Sequence, residues 1–160
     1  MSLATAARTT RGFTLLELVT VLIIVGLIGA ATLPRMLDDD SWTERAYVDE
    51  LSSALRYTQR VAIASDCHVA ITVDSTGYSA SLRADENACE SETGAFTTPV
   101  LRGDRTPLSR TLPHGMSVSG SGTVVFARDG SIMNSVPPTF TIGPFTISLD
   151  RATGAVSVTL

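Results

Sequence analysis

The chain begins with a short polar and basic stretch, MSLATAARTTRG, and then turns abruptly apolar. From Phe13 to Leu33 a single charge interrupts the run, at Glu17. A helix of that length reaches roughly 30 Å, the thickness of a hydrocarbon core. Gly26 and Gly29 are tolerated in such a helix. Pro34 follows and is expected to bend or interrupt it, because proline has no N–H and crowds the preceding turn. Ser41 and Glu44 have the spacing of a capping box, which predicts a restart near residue 41. The apolar positions Val48, Leu51, Leu55 and Ala62 then share one face, with Tyr47, Ala54 and Val61 beside them. Asp49, Glu50, Arg56 and Arg60 occupy much of the remaining face, read as solvated. The pattern predicts an amphipathic helix ending near Ala64 or Ser65, its apolar stripe lying on a sheet.

After residue 66 the period changes to two. His68–Val73 reads as a strand, Asp74–Gly77 as a turn, and Tyr78–Arg83 as the returning strand of a hairpin. Residues 84–97 are polar and acidic and read as a loop. Short strand candidates lie at Val100–Leu101 and Gly115–Ser119, and a stronger one at Thr123–Ala127, closed by Asp129-Gly130. Pro137-Pro138 breaks the chain again. Phe145–Leu149, a turn at Asp150–Gly154 and Ala155–Leu160 form a last hairpin. The expected fold class is α+β: a long N-terminal helix, half membrane-facing and half amphipathic, packed on an antiparallel β-sheet head. The expected divisions are a leader (1–12), an apolar helix (13–34), an amphipathic helix (35–65) and a β head (66–160).

Composition narrows the chemistry. The chain has 160 residues, is 44% hydrophobic, and carries a formal charge of −4 from 12 basic and 16 acidic residues. Every basic residue is arginine, so no lysine is present to serve a phosphate loop, a Schiff base or a general base. The acidic total opposes nucleic-acid binding, whose electrostatic driving force has the other sign. Cys67 and Cys89 have no metal-ligand spacing. In an exported head they would form one disulfide; in a reducing compartment they would be two separate buried thiols.

Glu17 is the residue that most needs explaining. A carboxylate within a membrane helix costs about 2.5–3.5 kcal/mol on insertion scales and marks function by default. An ordinary secretory signal has an apolar region of about 7–15 residues, shorter than this one, although Ala30-Ala31-Thr32 imitates its cleavage site. A plain single-pass anchor leaves the carboxylate without a purpose. A third reading gives Glu17 a partner: an amine created by cutting the chain before Phe13. The basic leader places the amino terminus on the cytoplasmic side and the chain after Pro34 on the exported side.

The segment RGFTLLEL resembles the leader of type IV pilins and type II secretion pseudopilins. That resemblance implies cleavage by a prepilin peptidase between Gly12 and Phe13 and N-methylation of Phe13. It implies that Glu17 neutralises the amine of a neighbouring subunit during assembly, and that Pro34 is the family's helix-bending proline. LSSALRYTQRVAIASDCHVAITV, TVVFARDGSI and FTISLDRATGAVSV resemble the head of the GspH/FimT branch of minor pseudopilins and minor pilins, an organisation that MSHA-type minor pilins share. The implied function is a structural subunit of a type II secretion pseudopilus or a type IV pilus, not an enzyme and with no cofactor. Its implied partners are other pilin or pseudopilin subunits, the prepilin peptidase, the inner-membrane assembly platform and, before assembly, inner-membrane lipid, with the head in the periplasm.

Other constellations carry less. His68 and His114 have no ligand partner at helical spacing. Asp85, Glu86, Glu90 and Glu92 are oxygen donors of the kind Ca²⁺ takes, but their spacing is irregular and a solvated loop is the simpler reading. No nucleophile elbow is present. The alternative function is DNA binding by a competence-type minor pilin, through Arg102, Arg105 and Arg110 in a mid-chain loop and Arg128 and Arg151 in late turns; a membrane-anchored periplasmic enzyme is the more remote reading. These arginines lack the interleaved aromatics that stack bases.

Overall fold

A computed structural model describes residues 13–32, 39–83, 89 and 94–160. Two compact units emerge, Met1–Asp39 and Asp40–Leu160. The first contains helix α1, Leu15–Thr32. It is apolar on all sides, so its residues define no inward face. At 18 residues it extends about 27 Å, and among the described residues no helix is long and apolar enough to cross a membrane. Leu33 and Pro34 lie outside the described residues, so the expected bend falls there too.

The second unit is the head. Helix α2 runs from Asp39 to Ser65, starting two residues before the expected restart. Its stripe of Tyr47, Val48, Leu51, Ala54, Leu55 and Ala62 is buried, and Val61 packs at the edge of the same core. The stripe also contains two buried polar side chains, Ser52 and Thr58. Each donates its hydroxyl to the carbonyl four residues back, Val48 at 2.7 Å and Ala54 at 2.8 Å. Neither leaves a buried donor unsatisfied.

Nine strands follow among the described residues: β1 (Val69–Asp74), β2 (Gly77–Arg83), β3 (Phe96–Pro99), β4 (Ser109–Thr111), β5 (Val118–Ser119), β6 (Gly122–Phe126), β7 (Phe140–Ile142), β8 (Phe145–Leu149) and β9 (Val156–Thr159). They form two antiparallel sheets rather than one. The larger has the order β3-β2-β1-β6, with β4 also pairing β2; the smaller has the order β5-β7-β8-β9. The hairpin expected around Asp74–Gly77 is present, with Val73 opposite Tyr78, but His68 precedes the strand. The final hairpin is present as well, with Ile147 opposite Val158. The Val100–Leu101 candidate is displaced, because the strand ends at Pro99. Val100 instead donates its N–H to Ala80 and is buried, while Leu101 makes an isolated bridge to Pro107.

One apolar cluster joins α2 to both sheets: Val69, Ile71, Val73, Val124 and Phe126 from the larger, Phe140, Ile142, Ile147 and Leu149 from the smaller. Polar clamps reinforce the contact. Tyr57 Oη donates to Leu101 O at 3.1 Å, and Gln59 Nε2 donates to Gly130 O at 2.9 Å and Thr153 O at 2.8 Å. Arg56 Nη2 donates to Val156 O at 3.1 Å. Four turns share one device: Asp74, Asp104, Asp129 and Asp150 each accept the backbone N–H and the hydroxyl of a Thr or Ser two or three residues on. Such turns fix the reversal with one side chain.

Candidate functional site

The sequence directs attention first to the start of α1. Thr14 caps the helix, its Oγ1 accepting the N–H of Glu17 at 3.3 Å. This places Glu17 in the first turn, where the positive end of the helix dipole favours a carboxylate. Thr20 Oγ1 donates to Leu16 O at 3.1 Å and Glu17 O at 2.9 Å, so this hydroxyl is consumed within the helix. The side chains from Phe13 to Ile28 are all exposed, Phe13 at 76% and Leu15 at 81%. Among the described residues Glu17 has no ion-pair partner. The helix therefore presents apolar surface on every side and one carboxylate a single turn from Phe13. Such a surface is made to be covered, by lipid or by other helices. Gly12, the other half of the expected cleavage junction, lies outside the described residues.

In the head, Cys67 and Cys89 form a disulfide with Cα atoms 4.5 Å apart. It ties the end of α2 to the acidic loop, and the N–H of His68 donates to Cys89 O at 3.3 Å. The acidic residues Asp85, Glu86, Glu90 and Glu92 lie outside the described residues. Among the described residues no group of three or more His, Cys, Asp or Glu is arranged to hold a metal. His68 is buried, and its Nδ1 has no hydrogen-bond partner among the described residues. It lines a cavity of about 510 Å³ with Asp66, Arg128 and Asp129. His114 is exposed and borders a small cavity of about 90 Å³ beside Glu44.

The five candidate arginines are distributed differently from the sequence reading. Arg102 and Arg110 converge on one carboxylate, Glu50 of α2. Arg110 belongs to strand β4 rather than to a loop. Arg102 Nη2 lies 3.7 Å from Glu50 Oε1 and donates to Tyr78 Oη at 3.3 Å. Tyr78 in turn donates to Glu50 Oε1 at 2.9 Å. Arg128 lies 3.6 Å from the carboxylate of Asp66. Arg105 occupies a left-handed turn at φ 64° and is exposed. Arg151 borders a separate depression with Ser131 and Ile132. Guanidinium groups already held by carboxylates are less free to meet phosphates.

The Glu50 node was not apparent from the sequence, where Glu50 was placed on a solvated face. Its position offers a signal in hindsight. It lies three residues after Tyr47 and four before Ala54, both in the buried stripe, so it sits at the stripe's border. The node perturbs two phenols. Burial first, then the Glu50 hydrogen bond and charge, push the Tyr78 hydroxyl up to about 12. Burial and then the Glu50 charge push Tyr47 to about 12. The two rings lie 6.2 Å apart.

Residues 47–160 match the family described as type II transport protein GspH. A comparison with curated proteins gives no match. Among solved structures, the chain is similar to the type IV minor pilin FimU of Pseudomonas aeruginosa, with a TM-score of 0.51 and 16% identity. That likeness covers 72% of this chain and 92% of that one, and at such low identity it speaks to the fold: one helix on antiparallel sheets. The matched segment starts at Tyr47, a buried residue of the α2 stripe, and takes in the whole β head. By this match the chain belongs to the GspH family.

Proposed function

We propose that the chain is a minor pilin or pseudopilin, a structural subunit of a type II secretion pseudopilus or a type IV pilus, and not an enzyme. In this reading a prepilin peptidase cuts between Gly12 and Phe13, and Phe13 becomes the N-methylated terminus. The apolar run from Phe13 to Leu33 holds the subunit in the inner membrane with the head in the periplasm. The assembly platform then moves α1 into a bundle of neighbouring subunit helices, where Glu17 meets the terminal amine of another subunit. The observation that carries the proposal is helix α1 itself: all-round exposed apolar surface with one carboxylate a turn from Phe13, in a chain whose head belongs to the GspH family.

The physics favours this use of Glu17 over a plain anchor. An isolated charge in an apolar bundle costs several kcal/mol. Pairing removes most of that penalty only when two helices stand in one register, so the pair selects alignment and adds modest net attraction. Amino-terminal sequencing of the protein from its native envelope is expected to begin at Phe13; a different start refutes the processing step. Glu17→Ala is expected to insert and be processed normally, yet to be lost from sheared filaments. Undiminished incorporation removes the charge-pair role.

A further inference from the structure

A groove of about 340 Å³ runs along the side of α2. Its floor is apolar: Ala54 and Leu108 are buried, and the Tyr57 ring is held in place by its hydroxyl bond to Leu101 O. Leu101 itself stands 51% exposed. The walls carry charge. Glu50 lines one side, with Arg102 and Arg60 on the rim. The balance is uneven, because the single Glu50 carboxylate faces two guanidinium groups, Arg102 and Arg110. Arg60 uses Nε for the Arg56 carbonyl at 3.3 Å and makes no ion pair among the described residues. Asp104, on the same loop as Arg102, keeps its charge while accepting the N–H and hydroxyl of Thr106, so Arg60, Arg102 and Arg110 stand against the two carboxylates of Glu50 and Asp104.

A chain with a net charge of −4 thus holds a local surplus of guanidinium around an apolar trough. Arginine forks match carboxylates in geometry, and an apolar floor beneath charged rims is the make-up of a peptide-docking surface. We propose that the groove between α2 and the loop joining β3 to β4 docks an extended acidic segment of a partner protein. An apolar side chain of that segment rests against Ala54, Leu108 and Tyr57, and a neighbouring carboxylate meets Arg60, the rim guanidinium that makes no ion pair among the described residues. This contact lies in the head and does not depend on how α1 assembles.

The test uses the full chain in detergent micelles and a fluorescein-labelled peptide, Asp-Leu-Glu-Phe-Asp-Gly. Two control peptides replace either its acids by lysine or its Leu and Phe by serine. Fluorescence polarisation is expected to show saturable, salt-weakened binding of the first peptide only. Ser53→Trp fills the groove from an exposed position on α2, and Arg60→Glu reverses one rim charge. Each is expected to weaken binding about tenfold or more, the scale of one lost charge-assisted contact, with circular dichroism unchanged. The proposal is overturned by absent binding, by equal binding of the lysine peptide, or by binding that Ser53→Trp leaves intact. Preference for oligothymidylate over the peptide would assign the groove to nucleic acid, and binding of citrate but no peptide would assign it to a small anion; either result also overturns it.

Discussion

Gln59 is the residue through which α2 grips two turns at once. Its amide has two hydrogens, and both are used, on Gly130 O at 2.9 Å and on Thr153 O at 2.8 Å. Gln59→Leu keeps the stem and nearly the same volume but removes both donors. A neutral hydrogen bond contributes about 0.5–1.5 kcal/mol net, so the substitution should cost about 1–3 kcal/mol. Gly154 lies against the same amide. Its φ is 66°, and a Cβ there would meet both the Gly130 carbonyl and the Gln59 side chain. Gly154→Ala therefore combines left-handed strain of about 1–2 kcal/mol with displacement of Gln59. Because the two substitutions disrupt one contact, their effects should not add. The double variant should fall short of the sum by at least about 0.5 kcal/mol. The assay is urea unfolding of the head, residues 40–160, which contains the whole apolar cluster. The midpoint should shift with the slope constant. A neutral Gln59→Leu, or strict additivity with Gly154→Ala, would refute the clamp.

Three further outcomes are expected. The Asp74, Asp104, Asp129 and Asp150 carboxyls are all held below the usual value of 3.8, first by the side-chain hydrogen bond from Thr or Ser. The unfolded chain therefore binds protons more readily, and their contribution to stability is present above about pH 4 and is lost as pH falls through the lower folded values. The urea midpoint should be level from neutral pH down to about 5 and drop below 4, less steeply in Asp150→Ala. Ultraviolet titration should show Tyr47 and Tyr78 ionising only near pH 12. Glu50→Gln should lower both while leaving them above 10, since burial is the leading cause. If Glu50→Gln leaves both values in place, the node does not act on the phenols. Replacing Cys67 and Cys89 by serine opens a link between residues 22 positions apart. Loop-closure entropy puts the loss near 3 kcal/mol, readable in the urea midpoint of the head.

What was legible in the sequence follows from how local each signal is. The α2 stripe was legible because helical periodicity repeats over many turns, and the hairpins at Asp74–Gly77 and Asp150–Gly154 because alternation flanks a turn-forming aspartate. The second sheet was legible only in that final hairpin, and β7 was not. Strand β7 has three residues, Phe140–Ile142, after the Pro137-Pro138 pair. Its alternation Phe-Thr-Ile is repeated beyond Gly143 in Phe145-Thr-Ile, and a φ of 54° at Gly143 turns the chain between them. That mirrored pattern was the available sign of a hairpin. Strand β4, Ser109–Thr111, is exposed at every position, so no hydrophobic pattern could mark it. Its reason for existing is long-range: it lies against β2 and delivers Arg110 to Glu50.

The same distinction separates the two candidate sites. Glu17 could be singled out because a carboxylate in an otherwise apolar run violates a local rule, and the violation is visible without knowing the fold. Glu50 violates nothing locally. A glutamate on an amphipathic helix is ordinary until Arg102, fifty-two positions away, and Arg110, sixty positions away, are folded against it. Its significance exists only in the tertiary structure. The groove beside it, where guanidinium outnumbers carboxylate in an acidic chain, could be found only after α2, β2 and β4 had been brought together. The two places also ask different things of a partner. In the proposed assembly, the helix would require partners that supply apolar surface along its length and one amine at a fixed height, which any subunit with the same leader would provide. The groove, in the docking proposed for it, would require a particular side-chain sequence, acid next to apolar. Selectivity among neighbours is therefore better placed in the head, where tertiary structure can build an uneven charge balance, than in a helix that is alike on all sides.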